Sequence, residues 1–351
     1  MLSLKLMHLL AGNPGHRRYI QIKRLWYFRL ASVKGTSMAC DILLLLSRDN
    51  EQYYTLLHSQ PLQQLIILRA DDTASALTLA PQATILLGEP DRIAPLLGHV
   101  KRLKWVQSTY GGIDALLAPE LRRDYQLTSM KGNFGPLISE YVFAHLLSLT
   151  RHLPLYREQQ RQRRWHPLPY HSLAKRRMLI LGTGSIGSHL ARTAAQFGIQ
   201  VWGVNRNGHE VADFVETYEA SALPQILPQV DIIVVTLPAT KETYHLLNKE
   251  NLSQCKPTAI LFNVGRGSVI DTADLLESLK AGRPGAAILD VFEEEPLPPD
   301  HPLWQQPNVL ITPHNAAWNE PRQVMRHFVL NLICYQHGEK LESLVDFDKG
   351  Y

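Results

Sequence analysis

Cysteine is scarce in this sequence: Cys40, Cys255 and Cys334 lie far apart, with no Cys-x-x-Cys pair and no His/Cys cluster. That excludes a disulfide framework and the spacing of a zinc site, and it fits a reducing compartment, so a cytoplasmic location is expected. Long hydrophobic runs are missing as well. Stretches such as Ile42 to Leu46 stop well short of the roughly 20 apolar residues that a bilayer span needs. A basic stripe is also lacking, although the formal charge of +4 first suggests an acidic partner. Residues 1–37 hold seven Lys/Arg and no acid; the other 29 basic residues face 32 acidic ones, a balance of about −3 that argues against a nucleic-acid surface.

Those first 37 residues resemble neither a secretory signal, since Lys5 and His8 interrupt the apolar opening, nor a clean transit peptide, since serine enrichment and an amphipathic period are absent. We expect the segment to lie outside the fold, with Met38, just before the strand-like Cys40 to Leu46, as the natural start. A targeting or binding arm is the alternative.

What the chain does have is 45% hydrophobic against 19% charged residues over a length of 351, enough for two globular domains. Short β-rich runs (Ile42 to Leu46, Leu65 to Leu68, Thr84 to Leu87, Leu103 to Gln107) alternate with helical patterns such as Gln52 to His58 and Arg92 to Leu97. Such alternation predicts parallel strands with crossover helices. A longer helix is expected from Ile138, bent or ended at Pro154, and the polar segment from Arg157 to Tyr170 reads as a connection between domains. A second series begins at Arg177, with strands expected at Met178 to Leu181, Val201 to Asn205, Ile232 to Thr236, Ala259 to Asn263, Ala286 to Asp290 and Val309 to Thr312. Six such strands predict a doubly wound α/β sheet. The closing helical run, Arg322 to Gln336, has no strand after it and is expected to return to the first domain, which makes that domain discontinuous.

Gly182-Thr-Gly-Ser-Ile-Gly187 matches G-x-G-x-x-G, a weak signal alone that becomes strong between an apolar strand and the amphipathic run Ile186 to Phe197. Gly182 permits the turn, Gly184 admits a pyrophosphate to the backbone, Gly187 lets helix and strand pack, and the helix N-terminus attracts the anion. Where NAD enzymes place an acid for the ribose, this chain has Asn205-Arg206-Asn207. A carboxylate there repels a 2′-phosphate and a guanidinium binds it, so NADP(H) is favoured over NAD(H). Alternatively, Arg206 is a solvated charge and Asn205 bonds an NAD ribose.

Downstream stand Asn263-Val-Gly-Arg-Gly267, Leu289-Asp-Val-Phe-Glu-Glu-Glu-Pro296 and Thr312-Pro-His-Asn-Ala316, each at the C-terminal end of an expected strand, where open α/β sheets bind ligands. With the glycine fingerprint, these motifs resemble the D-isomer-specific 2-hydroxyacid dehydrogenase family over roughly residues 40–351. The closing Val345 to Tyr351, the Trp165-His-Pro-Leu-Pro169 segment and the absent ribose acid are most similar to its glyoxylate/hydroxypyruvate reductase A branch, whose members begin near Met38 here.

The resemblance implies a Rossmann cofactor domain (140–319) inserted in a flavodoxin-like substrate domain (38–139 and 320–351), and a homodimer. It assigns Arg266 to the substrate, Glu295 as the supporting acid ahead of its local competitors Glu293 and Glu294, and His314 as the acid/base. It also implies a cofactor set of Gly182, Gly184, Ser185, Ile186, Gly187, Asn205, Arg206, Asn207, Leu237, Pro238, Val264 and Asp290. Asp290 either bonds the nicotinamide amide or caps its turn. In the first domain, Tyr110-Gly-Gly-Ile-Asp114 resembles the family's substrate loop, with Gly111 and Gly112 presenting amides to a carboxylate and Tyr110 standing where the family often has glycine. Trp165 either reaches a neighbouring active site or is a buried anchor.

The chemistry fits these roles. Reduction of a 2-keto acid needs a proton for the developing alkoxide, a carboxylate beside the histidine keeps that proton available near neutrality, and no metal is needed. The expected function is NADPH-dependent reduction of glyoxylate, hydroxypyruvate or a similarly small 2-keto acid. The alternatives are another dehydrogenase of the family, acting with NAD on phosphoglycerate or lactate, and a non-catalytic nucleotide-sensing or co-repressor relative.

Overall fold

The computed structural model describes residues 40–350 apart from 61 and 63, so the expectations for residues 1–37 and Met38 lie outside the described residues. Two all-parallel sheets organise what is described.

The first sheet holds β1 (Asp41–Leu46), β2 (Leu65–Arg69), β3 (Ile85–Gly88), β4 (Trp105–Ser108) and β5 (Gln126–Thr128), in the order β2-β1-β3-β4-β5. That is the flavodoxin-like order, with a topological switch between β1 and β3. Because side chains alternate along a strand, β1 splits its leucines between two cores. Leu44 and Leu46 join Leu86, Val106 and Leu127 on one face. Leu43 and Leu45 join Ile85, Leu87 and Trp105 on the other, beneath α1 (Asn50–His58) and the chain's last helix.

Ahead of the second sheet runs the helix α2 (Phe134–Thr150), which packs Ile138, Val142, Phe143 and Leu146 against Met178 and Ile180 of that sheet. The expected boundary at 139/140 thus falls inside one continuous helix. Pro154 does not end it. The break comes earlier, where His152 adopts a left-handed φ of 56°, and Pro154 instead sits in the first turn of a separate helix, α3 (Leu153–Arg161), where a missing N–H costs nothing. The expected connection from Arg157 therefore begins as helix, and α3 has no buried residue.

The second sheet comprises β6 (Arg177–Leu181), β7 (Gln200–Val204), β8 (Glu216–Tyr218), β9 (Ile232–Val235), β10 (Ile260–Asn263), β11 (Ala286–Leu289) and β12 (Val309–Ile311), in the order β12-β11-β10-β9-β6-β7-β8. The order reverses beside β6, as in a Rossmann sheet. It has seven strands, not the six expected, because β8 at the edge reads Glu-Thr-Tyr and carries no aliphatic run. After β6 comes α4 (Ser185–Gln196), and after β10 comes α5 (Thr272–Lys280). The last helix, α6 (Pro321–Gln336), returns to the first sheet: Phe328 stacks on Trp105 with ring centroids 5.2 Å apart, and Val324, Met325 and Leu332 share its core. Among the described residues no helix is long and apolar enough to cross a membrane, and no cluster of His, Cys, Asp or Glu could hold a metal ion.

Candidate active site

Each motif falls in the loop that follows a strand of a parallel sheet, so the sequence's chemistry collects at the strands' C-terminal ends. The fingerprint turn leaves β6 at Gly182, whose φ of 110° suits glycine and whose missing Cβ would stand 2.7 Å from Thr236 Oγ1. A Cβ on Gly187 would meet the Gly182 carbonyl oxygen at 2.0 Å, so that glycine lets helix and turn touch. Gly184 is different. Nothing lies within 4 Å of where its Cβ would be, and it stands at the N-cap of α4 without a capping side chain. Open space beside unpartnered helix amides, begun by Ser185, fits a phosphate. Ile186 turns inward and packs with the core beneath, together with Val264.

Leu237 and Pro238 follow β9, with the Leu237 backbone packed against Gly265: a Cβ there would come 2.7 Å from the Leu237 carbonyl oxygen. At the end of β7, Asn205 holds its own loop. Its Nδ2 donates to the His209 carbonyl (2.8 Å) and to Thr183 Oγ1 (3.3 Å), and its Oδ1 accepts from the Asn207 and His209 amides. Arg206 is half-exposed, and among the described residues it makes a loose ion pair, 4.0 Å, with Glu242.

His314 and Glu295 meet directly, His314 Nδ1 lying 2.7 Å from Glu295 Oε2, while Oε1 accepts the Phe292 amide at 2.9 Å. Sequence spacing places these residues 19 apart; the ends of β11 and β12, paired side by side, bring them together. The bond to Glu295 raises the His314 pKa above its ordinary value, against the opposing effect of burial. Burial pushes Glu295 up, but the hydrogen bonds from His314 and the Phe292 amide outweigh it and leave that carboxyl below its usual range. His314 has a left-handed φ of 50°, fixed by its amide donating to the Asp290 carbonyl. Asp290 itself is buried, and its carboxylate receives the Thr312 hydroxyl and the Asn315 and Ala316 amides. Of its two expected roles, the structure displays the cap on the turn that carries His314. Tyr141 of α2 adds a bond to Thr312 Oγ1 at 2.7 Å, a contact that no motif announces.

Arg266 follows β10. Its Nε donates to Asp114 Oδ2 (2.9 Å) and its Nη1 to the Gly265 carbonyl (2.7 Å), which leaves Nη2 without a hydrogen-bond partner among the described residues. That prong lies over Gly112, where a Cβ would come within 2.0 Å of it. A Cβ on Gly111 would lie 2.6 Å from Phe134 Cε2. The Gly111 and Gly112 amides donate to no backbone or side-chain acceptor among the described residues. A guanidinium prong over Gly112, next to loop amides with no partner among the described residues, is an arrangement that can take a carboxylate. Asp114 was within the quoted motif, yet its pairing with Arg266 joins positions 152 apart and leaves no trace in spacing. Trp165 is 99% exposed, so within this chain it is not the buried anchor offered as one alternative.

A glycine turn opening a helix after a parallel strand, an arginine over a glycine loop and a carboxylate-supported histidine are the features of the nicotinamide-dependent oxidoreductase class. Comparison with known proteins agrees. Residues 143–316 match the model of the D-isomer specific 2-hydroxyacid dehydrogenase NAD binding domain. The chain is 34% identical over 263 residues to glyoxylate/hydroxypyruvate reductase A of Yersinia enterocolitica, covering 73% of this chain and 84% of that protein. A crystal structure of a D-isomer specific 2-hydroxyacid dehydrogenase family protein from Aeromonas salmonicida superposes with a TM-score of 0.84 at 54% identity, covering 88% of this chain and 99% of that one. The NADPH-dependent glyoxylate/hydroxypyruvate reductase of Sinorhizobium meliloti, solved with NADP and sulfate, gives 0.79 at 27% identity, covering 89% and 100%. This chain belongs to the D-isomer-specific 2-hydroxyacid dehydrogenase family and is an oxidoreductase with a nicotinamide-nucleotide-binding Rossmann domain.

Proposed function

We propose that this enzyme reduces a small 2-keto acid, glyoxylate or hydroxypyruvate, with NADPH in the cytoplasm, as a homodimer. The observation that carries the reading is the His314–Glu295 pair at 2.7 Å, with Arg266 near enough to act on both charges and lying over Gly112. Residues 38–139 with 320–351 serve as the substrate domain and 140–319 as the cofactor domain. When bound, the nicotinamide supplies the hydride.

The chain's residues do the rest. Arg266 Nη2 and the two glycine amides hold the carboxylate, and the guanidinium also stabilises charge gathering on the carbonyl oxygen. His314 Nε2, with no protein partner among the described residues, gives its proton to that oxygen, while Glu295 stabilises the charged ring beforehand and holds its orientation. Gly182, Gly184, Ser185, Ile186 and Gly187 form the pyrophosphate turn, and Leu237, Pro238, Val264 and Asp290 line the nicotinamide side. Support for NADPH is the missing carboxylate at Asn205 and the loosely held Arg206, which can turn from Glu242 toward a 2′-phosphate, with Asn207 beside it.

Initial rates with a panel of 2-keto acids, each with NADPH and with NADH, test the reading. Small keto acids should be reduced faster with NADPH, and Arg206→Ala should weaken NADPH about tenfold or more while leaving NADH nearly unchanged, the loss of roughly one charge-assisted contact. A cofactor preference that survives this substitution sinks the assignment of Arg206. No turnover with any member of the panel sinks the function.

A further inference from the structure

A second histidine stands behind the first, and the proposed reaction has not used it. His245 follows β9 in the loop of Leu237 and Pro238, with a left-handed φ of 48° that suits glycine far better than histidine. Its ring meets a carboxylate at each nitrogen: Nδ1 lies 3.0 Å from Asp271 Oδ2 and Nε2 lies 2.7 Å from Glu293 Oε1. The Glu293 contact is a hydrogen bond, and the Asp271 carboxylate stands beside the other nitrogen at ion-pair distance. Tyr244 stacks on the ring, with centroids 3.9 Å apart. Both acids have structural ties of their own. Asp271 caps α5 through the Asp274 amide, and Glu293 Oε2 accepts the Thr272 amide from the same helix start.

Glu293 is two residues from Glu295, and the backbone between Phe292 and Glu293 rests on Gly267, where a Cβ would lie 1.9 Å from the Phe292 carbonyl carbon. That backbone also supplies the Phe292 amide that fixes Glu295 Oε1. His245 thus bonds to the segment that supplies the amide for Glu295 and that packs on the loop of Arg266.

We propose that His245, held between Asp271 and Glu293, is a positioning residue for the Glu295–His314 couple, acting by clamping residues 292–295. The proposal rests on the proton-transfer role given to His314, and its test is readable without turnover. The groups in play are Asp271, Glu293 and Tyr244 around His245, and Glu295, Arg266 and Asp290 around His314.

His245→Gly removes the ring while leaving a residue at ease at that φ, so the chain should fold. In the resting protein, the His314 titration followed by NMR should move down by about half a unit or more, since a loosened Glu295 supports the charged ring less well. The high-pH limit of kcat/KM should move down with it and kcat should fall about tenfold, with NADPH affinity held. Glu293→Gln approaches the same contact from the other side, and it carries the test if His245→Gly does not fold. A His314 titration and a pH profile that overlay those of the wild type, whatever happens to the melting temperature, would overturn the proposal. An absence of any keto-acid reduction by the wild type counts against the function instead, and the NMR titration still decides the role of His245.

Discussion

His314 is half-exposed, and its raised pKa comes chiefly from Glu295, with a smaller push from the Asp290 carboxylate. The sign of the pH effect follows. Reduction needs the charged ring, so activity should fall as pH rises through the raised value, and Glu295→Gln, which keeps the bond but removes the charge, should move that limit to lower pH. The same pair contributes to stability in opposite senses. The His314 part is present below the ordinary histidine value and lost as pH rises through the raised one; the Glu295 part is present above the ordinary carboxylate value and lost as pH falls. His314→Ala should cost about a hundredfold or more in kcat while leaving cofactor binding intact, as titration of NADPH fluorescence would check. At Gly112 the expected failure is steric. Gly112→Ala drives a methyl into Arg266 Nη2, so KM for the keto acid should rise with a near-normal melting temperature. That Arg266, Glu295 and His314 fall just after strands was legible in the sequence, because each sits in a motif that follows an apolar run. Asp114 and His245 were not, as their partners are set by the fold and lie 152 and up to 48 residues away.

At the scale of elements, apolar runs revealed most strands and missed β5 and β8, which read Gln-Leu-Thr and Glu-Thr-Tyr, whereas β12, equally short, reads Val-Leu-Ile and was expected. Pro154 was a true signal attached to the wrong event, since proline is tolerated in a helix's first turn as readily as it ends one. The closing helix was legible from its apolar spacing and lack of a following strand, but its polar anchor was not. Asn331 is fully buried on α6; its Oδ1 accepts the Glu342 amide at 2.7 Å and its Nδ2 donates to the Glu342 carbonyl and to Gln107 Oε1. Asn331→Leu should leave the Glu342 backbone groups unpaired and cost about 1–3 kcal/mol, whereas Phe328→Ala should cost about 3–5 kcal/mol through a cavity under Trp105. Denaturant midpoints would read both. His327, one turn before Asn331, has its pKa lowered by burial, so its contribution to stability is present above the ordinary histidine value and lost as pH falls through the lowered one.

Across the molecule, polar contacts that join the loops of the two sheets among the described residues include Arg266 to Asp114, and Asn319 Nδ2 to the Thr109 carbonyl at 2.6 Å. Asp114→Ala should therefore act on substrate through Arg266, raising KM for the keto acid while leaving NADPH affinity unchanged; an unaltered KM would show that Arg266 keeps its pose without that partner. The return of α6 to the first sheet has a further consequence, in the time domain. Strands β1 to β5 leave the ribosome early, but the helix that covers Trp105, Leu43 and Leu45 leaves it about 190 residues later, an interval of about 10–40 s at bacterial-to-eukaryotic synthesis rates. For that interval one apolar face of a parallel sheet stands uncovered while a complete second sheet is made between its halves. A nascent chain halted before Pro321 should be a client for chaperones, and one released after Gln336 should not.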